Sequence, residues 1–296
     1  MTAPGPVATL LAGLIDYAGL FPPAALPMRD AVARYAEHRR GAERAMLGRF
    51  VVPAARLAEL TTEVDRLPFG APTPAAPWGL AVLAAAADAP MLRTFAGSYG
   101  GCLVADVVEA KAEDVAGIEA LATAFGPEVT VYVELPLRPD PAPLVTALAR
   151  RGLRAKVRTG GLTPEAIPAS ADLLRFLAAC VDAAVPFKAT AGLHHPLRGE
   201  HPLTADPAGP RATMHGFLNV FLAAAYLHAG VDAARVAPLL EARDVAAFVV
   251  EPEGIRWHDL MLSTRELAAF RRTAGASFGS CSFDEPVHDL AALALT

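Results

Sequence analysis

The sequence predicts an α/β fold of the (β/α)8 class, a TIM barrel built as a single domain over residues 1–296, with a long loop and hairpin insertion before the last strand. Three observations lead there. Short apolar runs alternate with amphipathic runs along the whole chain, which implies parallel βαβ units. About eight such units fit into 296 residues, the usual size of a closed barrel. No GxGxxG loop follows the first strand, as an open dinucleotide-binding sheet would usually show.

The elements follow in order. Strand-like runs are LIDYAGL (14–20), GRFVV (48–52), GLAVLAA (79–85), CLVADVVEA (102–110), VTVYVEL (129–135), RAKVRT (154–159), VPFKAT (185–190) and ASFGSCS (276–282). Each is short and rich in β-branched or apolar residues, and most end near Gly, Pro or charge. Helix candidates lie near 28–40, 54–66, 112–124, 141–151, 164–183, 211–229, 232–243 and 263–272. AFVVEPEGIRW (247–257) is a ninth strand-like run, turning at EPEG. It reads as a hairpin excursion over 246–258, ahead of the last strand. The rival reading makes it barrel strand seven and turns residues 1–45 into an added arm. Residues 196–212, rich in Pro, Gly and charge, form a long loop directly after the seventh strand, a candidate lid. APTPAAP (71–77) reads as a surface linker.

Composition excludes several classes. Hydrophobic residues make up 53% and charged residues 19%, as expected of a globular chain. Net charge is −5 and no basic cluster is extended, which argues against nucleic acid as partner. Every long apolar stretch is broken by charge, Gly or Pro, so no membrane span is expected. The N-terminal stretch lacks a positive region and contains Asp16, so it does not read as a signal peptide. The three cysteines, Cys102, Cys180 and Cys281, are too far apart for a disulfide framework or a CxxC metal site. A cytoplasmic protein, with or without self-association, is the expectation.

Two lysines carry the chemical signal. AKVRTGG places Lys156, and PFKATAG places Lys188, near the end of successive strands, each before a glycine-bearing loop. Side chains alternate along a strand, so Lys156 shares a face with Arg158, and Lys188 with Thr190. If those faces point inward, three cations crowd one mouth, the C-terminal end where barrel enzymes do their chemistry. Crowding and desolvation both disfavour the charged form, and a lysine depressed toward neutral pH is an amine nucleophile. The plainer alternative is that both amines snorkel at strand ends.

These motifs resemble the deoxyribose-phosphate aldolases, class I aldolases on the (β/α)8 fold. KVRTGG is similar to that family's KTSTG-like motif, and FKATAG to its VKAAGG-like motif. IDYAGLFPPA, ADVVEA and FGSCS are similar to its first, fourth and last strands. The resemblance implies Lys156 as Schiff-base former, Lys188 as the amine that lowers its pKa, Asp106 as proton shuttle, and Ser280 among the groups holding phosphate. Arg158 replaces the family's serine. Ala191-Gly192 replaces its glycine pair, and a far longer connection follows Lys188. These departures weigh against a phosphosugar substrate.

Other residues complete the candidate site. Glu109 and Glu134 compete with Asp106 for the proton-moving role. Asp106 and Glu109 are an odd number apart, so only one of them can face inward on a regular strand. Thr159, Gly160, Gly161 and Gly192 form loops whose amides could approach an anion, and Arg158 offers a planar fork to carboxylate or phosphate. Asp16 and Tyr17 precede a Pro-Pro loop on the same mouth. His194 and His195 follow Lys188, with His201 and His215 further on. No HxH or HExxH spacing occurs, so a substrate-contacting role is expected over a metal site. The leading expectation is a cofactor-free lysine Schiff-base aldolase or lyase acting on a small anionic carbonyl compound. A metal-dependent barrel hydrolase or isomerase and a non-catalytic small-molecule-binding barrel are the alternatives.

Overall fold

Eight parallel strands close on themselves in a computed structural model of the chain, which describes residues 4–99, 101–204, 206 and 208–293. They are β1 (Ile15–Tyr17), β2 (Leu47–Pro53), β3 (Trp78–Leu83), β4 (Leu103–Lys111), β5 (Thr130–Glu134), β6 (Arg154–Arg158), β7 (Phe187–Thr190) and, after an excursion, β13 (Gly275–Ser280). Neighbours around the barrel are neighbours in sequence, and β13 closes it by pairing with both β7 and β1. Each expected strand is found within a few residues of its place. The ninth strand-like run lies outside the barrel, so the rival assignment is excluded.

Helices join the strands: α1 (Pro6–Leu11) before β1, then α2 (Met28–His38), α3 (Leu57–Asp65), α4 (Ala89–Tyr99), α5 (Val115–Phe125), α6 (Ala142–Arg151) and α7 (Ser170–Asp182). The β7–β13 connection is the elaborate one. It holds the antiparallel pair β8 (Gly199–Pro202) and β9 (Arg211–Met214), the helix α8 (Phe217–His228) and the short helix α9 (Ala233–Val236). A three-stranded antiparallel sheet follows, formed by β10 (Phe248–Glu251), β11 (Gly254–Trp257) and β12 (Leu260–Ser263). Then come α10 (Thr264–Thr273), β13 and α11 (Asp284–Ala292). The candidate lid over 196–212 is therefore mostly the β8–β9 hairpin; its residues 205 and 207 lie outside the described residues.

Several helix boundaries differ from expectation, each with a local cause. The run 211–229 splits, because 211–214 form β9 and Gly216 lies against Leu197, where a Cβ would come within 2.4 Å of backbone. Pro164 and Pro168 hold back the start of α7 to Ser170. Pro238 turns the rest of 232–243 into a 3-10 segment. Helices α4, interrupted in pattern by Pro, Gly and Ser, and α11, at the chain's end, were not expected.

The excursion has a packing reason. Every residue of α8 from Phe217 to Leu227 is buried, so this helix, apolar apart from Asn219 and the Tyr226 hydroxyl, must be covered on both sides. The barrel covers one side: Phe217 stacks on Phe278 at 5.0 Å, and Phe221 stacks on Phe187 at 5.6 Å. The β10–β12 sheet is tied to the helix by Tyr226, whose hydroxyl contacts the carbonyls of Ile255 and Leu260 at 3.0 and 3.1 Å. Inside the barrel, Val51, Ala81, Val107 and Tyr132 form a small apolar cluster. No helix among the described residues is long and apolar enough to cross a membrane.

Candidate active site

The register of three strands aligns the charged residues. Glu134 on β5 lies opposite Lys156 on β6, and Lys156 lies opposite Lys188 on β7. Glu109 from β4 and Asp16 from β1 complete the layer. Lys188 Nζ donates to Asp16 Oδ2 at 2.7 Å and to Glu109 Oε1. The other Glu109 oxygen takes Lys156 Nζ at 2.8 Å, and Lys156 reaches Glu134 Oε2 at 3.0 Å. Arg158 Nε closes the chain on Glu134 Oε1, also at 3.0 Å. Acid and base thus alternate from Asp16 to Arg158. Asp16 is anchored by the Arg49 amide at 2.6 Å and the Ser277 hydroxyl at 2.7 Å. Lys188 Nζ also sits 5.6 Å from the centre of the Tyr132 ring.

This pairing reverses the electrostatics expected of crowded cations. Burial alone would push Glu109 up, but the Lys188 and Lys156 ammoniums overcome it and hold its carboxyl at about 2. Burial alone would push Lys188 down, and the Asp16 and Glu109 carboxylates overcome it, so its ammonium is held above the usual lysine range. The two amines converge on one carboxylate and do not face each other as bare cations. Glu134 is likewise lowered, burial being outweighed by Lys156 and Arg158.

Above this layer opens a cavity of about 630 Å³. Glu109, Lys156 and Arg158 line it, whereas Lys188 lies behind them, 1% exposed. One wall is apolar, with Phe21 and the Pro22-Pro23 turn after β1, Val51 from β2 and Leu83 from β3. The β8–β9 hairpin adds Leu203 and Met214. The remaining wall carries His194, His195, Cys281 and Glu285. His194 Nδ1 lies 3.1 Å from Glu285 Oε2, and His195 Nδ1 lies 2.6 Å from Asp289 Oδ2. Burial pushes His194 down, but its contacts with Cys281 and Glu285 raise it to about 9. His201, on β8, stacks on His195 with ring centres 3.4 Å apart.

Lys156, Lys188, Glu109, Glu134 and Asp16 thus meet in one layer. Arg158, Thr190, Gly161, Gly192, His194 and His195 surround the cavity above it. Asp106 does not join them. It is half-exposed and forks with Arg49, both terminal nitrogens of which reach its carboxylate. Past a register shift opposite Gly79–Ala81, β4 pairs regularly with β3 from Val107 to Glu109, and Glu109 is the carboxylate of this strand that lines the cavity. Tyr17 also points away from the cavity, into a cluster with Tyr35, His38 and Phe50. Thr159 is wholly buried, its hydroxyl donating to the Ala191 carbonyl at 2.5 Å. Gly160 and Gly192 press the two strand-end loops together, since a Cβ on Gly160 would lie 2.8 Å from Gly192 Cα. Their smallness serves that contact. Ser280 is buried, its hydroxyl 3.4 Å from His194 Nδ1. His215 is buried beneath the hairpin, 2.8 Å from the Pro168 carbonyl and 3.1 Å from Arg198 Nη1.

Sequence reasoning did not reach Ser277, Glu285, Asp289 or the apolar wall. Glu285 and Asp289 are four apart on α11, a spacing that puts both on one helix face, but α11 itself was not recognised. Among the described residues, no group of three or more His, Cys, Asp or Glu is arranged to hold a metal ion.

No protein-family profile matches the chain, and no curated protein does. Among solved structures it is similar, at 19% identity and a TM-score of 0.22, to a nitroalkane oxidase from Streptomyces ansochromogenes. The match covers 64% of this chain and 61% of that one. A likeness so slight bears on neither the fold nor the chemistry of this protein.

Proposed function

We propose that the protein is a lysine Schiff-base lyase or aldolase acting on a small anionic carbonyl compound. One observation carries the reading: among the described residues, Lys156 is the only lysine that lines the cavity, and it stands between two carboxylates at 2.8 and 3.0 Å. The resemblance of KVRTGG and FKATAG to aldolase motifs supports the same assignment.

The chemistry balances within the layer. Lys156 passes a proton to Glu134, 3.0 Å away, and the free amine attacks the substrate carbonyl carbon. The carbinolamine then expels its oxygen as water, so ammonium plus carbonyl yields iminium plus water. The iminium nitrogen carries the same single positive charge as the ammonium did. Glu109 and Glu134 are therefore already placed to stabilise it, with no reorganisation of the site. In the cleavage direction the bond beyond the carbon next to the iminium breaks. Its electron pair enters the iminium to leave an enamine, and the departing fragment's hydroxyl gives its proton to Glu134. Protonation of the enamine carbon and addition of water release the second product. Lys188 acts by position: held charged between Asp16 and Glu109, it keeps Glu109 anionic and oriented.

The complete ion pairing of both lysines favours a second reading, a barrel that binds small molecules without turning them over. Borohydride trapping with a carbonyl substrate, followed by peptide mass mapping, separates the two. The expected result is a reduced adduct on Lys156 that Lys156→Met abolishes. No adduct on Lys156 with a substrate that is turned over refutes the Schiff-base reading.

A further inference from the structure

We propose that Arg158 and Thr190 form a carboxylate subsite beside Lys156, so that the substrate is an α-keto acid whose chain, apart from the one hydroxyl that cleavage requires, is apolar and unphosphorylated. The inference rests on the Schiff-base reading for the role of Lys156 and goes beyond it in naming the substrate.

The placement comes first. Arg158 follows Lys156 by two positions on β6, and Thr190 is its register partner on β7. All three line the cavity. Arg158 spends only Nε on Glu134, and its two terminal nitrogens donate to no atom among the described residues. Its side chain is 45% exposed, so that edge of the fork is open to a ligand. A carboxylate attached directly to the iminium carbon puts its oxygen's donor roughly 5–6 Å from the iminium nitrogen, from ordinary bond lengths plus one hydrogen bond. Same-face neighbours on a strand are about 6.7 Å apart. A carboxylate several bonds away would overshoot Arg158.

Charge sets the valence of the anion. Lys188, Lys156, Arg158 and Lys111, whose Nζ is 3.6 Å from Glu134, make four cations in the connected cluster. Asp16, Glu109 and Glu134 make three carboxylates. Four less three leaves one positive charge, which a monoanion neutralises and a phosphate dianion exceeds. On the opposite wall, where a distal phosphate would lie, His194 and His195 are already engaged by Glu285 and Asp289. Glu285 itself lines the cavity and would repel it.

The remaining space is apolar. Phe21, Val51, Leu83, Leu203 and Met214 come from four separate segments of the chain and face one volume. A branched or straight hydrocarbon chain removes that surface from water, whereas a polyhydroxylated chain would leave its hydroxyls unpaired there.

The test uses the full chain and its Arg158→Gln variant, trapped with borohydride in the presence of ketoisocaproate, isovaleraldehyde, glyceraldehyde or glyceraldehyde phosphate. The ratio of ketoisocaproate to isovaleraldehyde trapping on Lys156 should fall about tenfold or more in Arg158→Gln, the size of a lost charge-assisted hydrogen bond. Glyceraldehyde phosphate should be trapped no faster than glyceraldehyde. A ratio unchanged by the substitution, or a marked advantage for the phosphorylated aldehyde, overturns the subsite while leaving the Schiff base intact. If no compound is trapped, the subsite is tested without a Schiff base: isocaproate, which has no carbonyl to react, is titrated by calorimetry. Binding weakened about tenfold in Arg158→Gln supports the subsite, and binding equal in both proteins overturns it.

Discussion

Replacing Glu109 by glutamine removes one negative charge from between two buried ammoniums while keeping the side chain's shape. The magnitude follows from the proton equilibrium. Glu109 is held at about 2 against an ordinary 4.5, and each tenfold displacement is worth about 1.4 kcal/mol. The ionised carboxylate therefore contributes about 3 kcal/mol at neutral pH, in line with the cost of breaking a buried ion pair. Its folded value is depressed, so this contribution is complete above about pH 4.5 to 5 and is lost as pH falls toward 2. Urea unfolding monitored by circular dichroism, at pH 7 and again at pH 3.5, reads both features. Glu109→Gln should be about 3 kcal/mol less stable at pH 7 and about 2 kcal/mol less stable at pH 3.5. Asp106→Asn is the matched control on the same strand. Its half-exposed pair with Arg49 should be worth less than about 1 kcal/mol. The reasoning fails if Glu109→Gln stays within about 1 kcal/mol of the parent at pH 7, or if the gap does not narrow in acid.

Two further outcomes are expected. Gly160→Ala should destabilise the fold by about 1–3 kcal/mol, read from the urea midpoint, because its methyl would meet the Gly192 backbone at 2.8 Å; Gly192→Ala should cost more, since Gly192 also has φ +74°. The His194 imidazole should titrate near pH 9 by NMR and nearer its ordinary 6.5 in Glu285→Gln. The sign follows from the raised value: any stability His194 contributes is complete below about pH 6.5 and is lost as pH rises through about 9.

The parity of β4 marks a limit of reading a site from sequence. Alternation on a regular strand admits only one of Asp106 and Glu109 inside and cannot say which. β4 is moreover not regular there: its pairing with β3 shifts register just ahead of Val107, a property of two neighbouring strands that neither shows alone. Tyr17 follows the same alternation. Its neighbour Asp16 points inward, so on β1 the ring must point out, against α2. Lys188 was legible as a lone charge in an apolar run, and Lys156 because AKVRTGG matches it in shape one strand earlier. Their protonation was not, because the opposing carboxylates come from β1, β4 and β5.

The eight barrel strands were set by local chemistry, since β-branched runs, turn residues and intervening amphipathic segments are all encoded within short windows. So was the excursion before the last strand, whose EPEG turn needs no distant partner. Barrel closure decided the rest. Asp16 and Lys188 are 172 positions apart, and Glu109 and Lys188 are 79 apart. Asp16 reaches Lys188 because β13 pairs with both β1 and β7 and leaves one strand between them, and Glu109 reaches it from β4 across the interior of the closed barrel. A buried ammonium takes its charge state from whatever lies within a few ångströms, and for Lys188 those neighbours are supplied by the closed barrel.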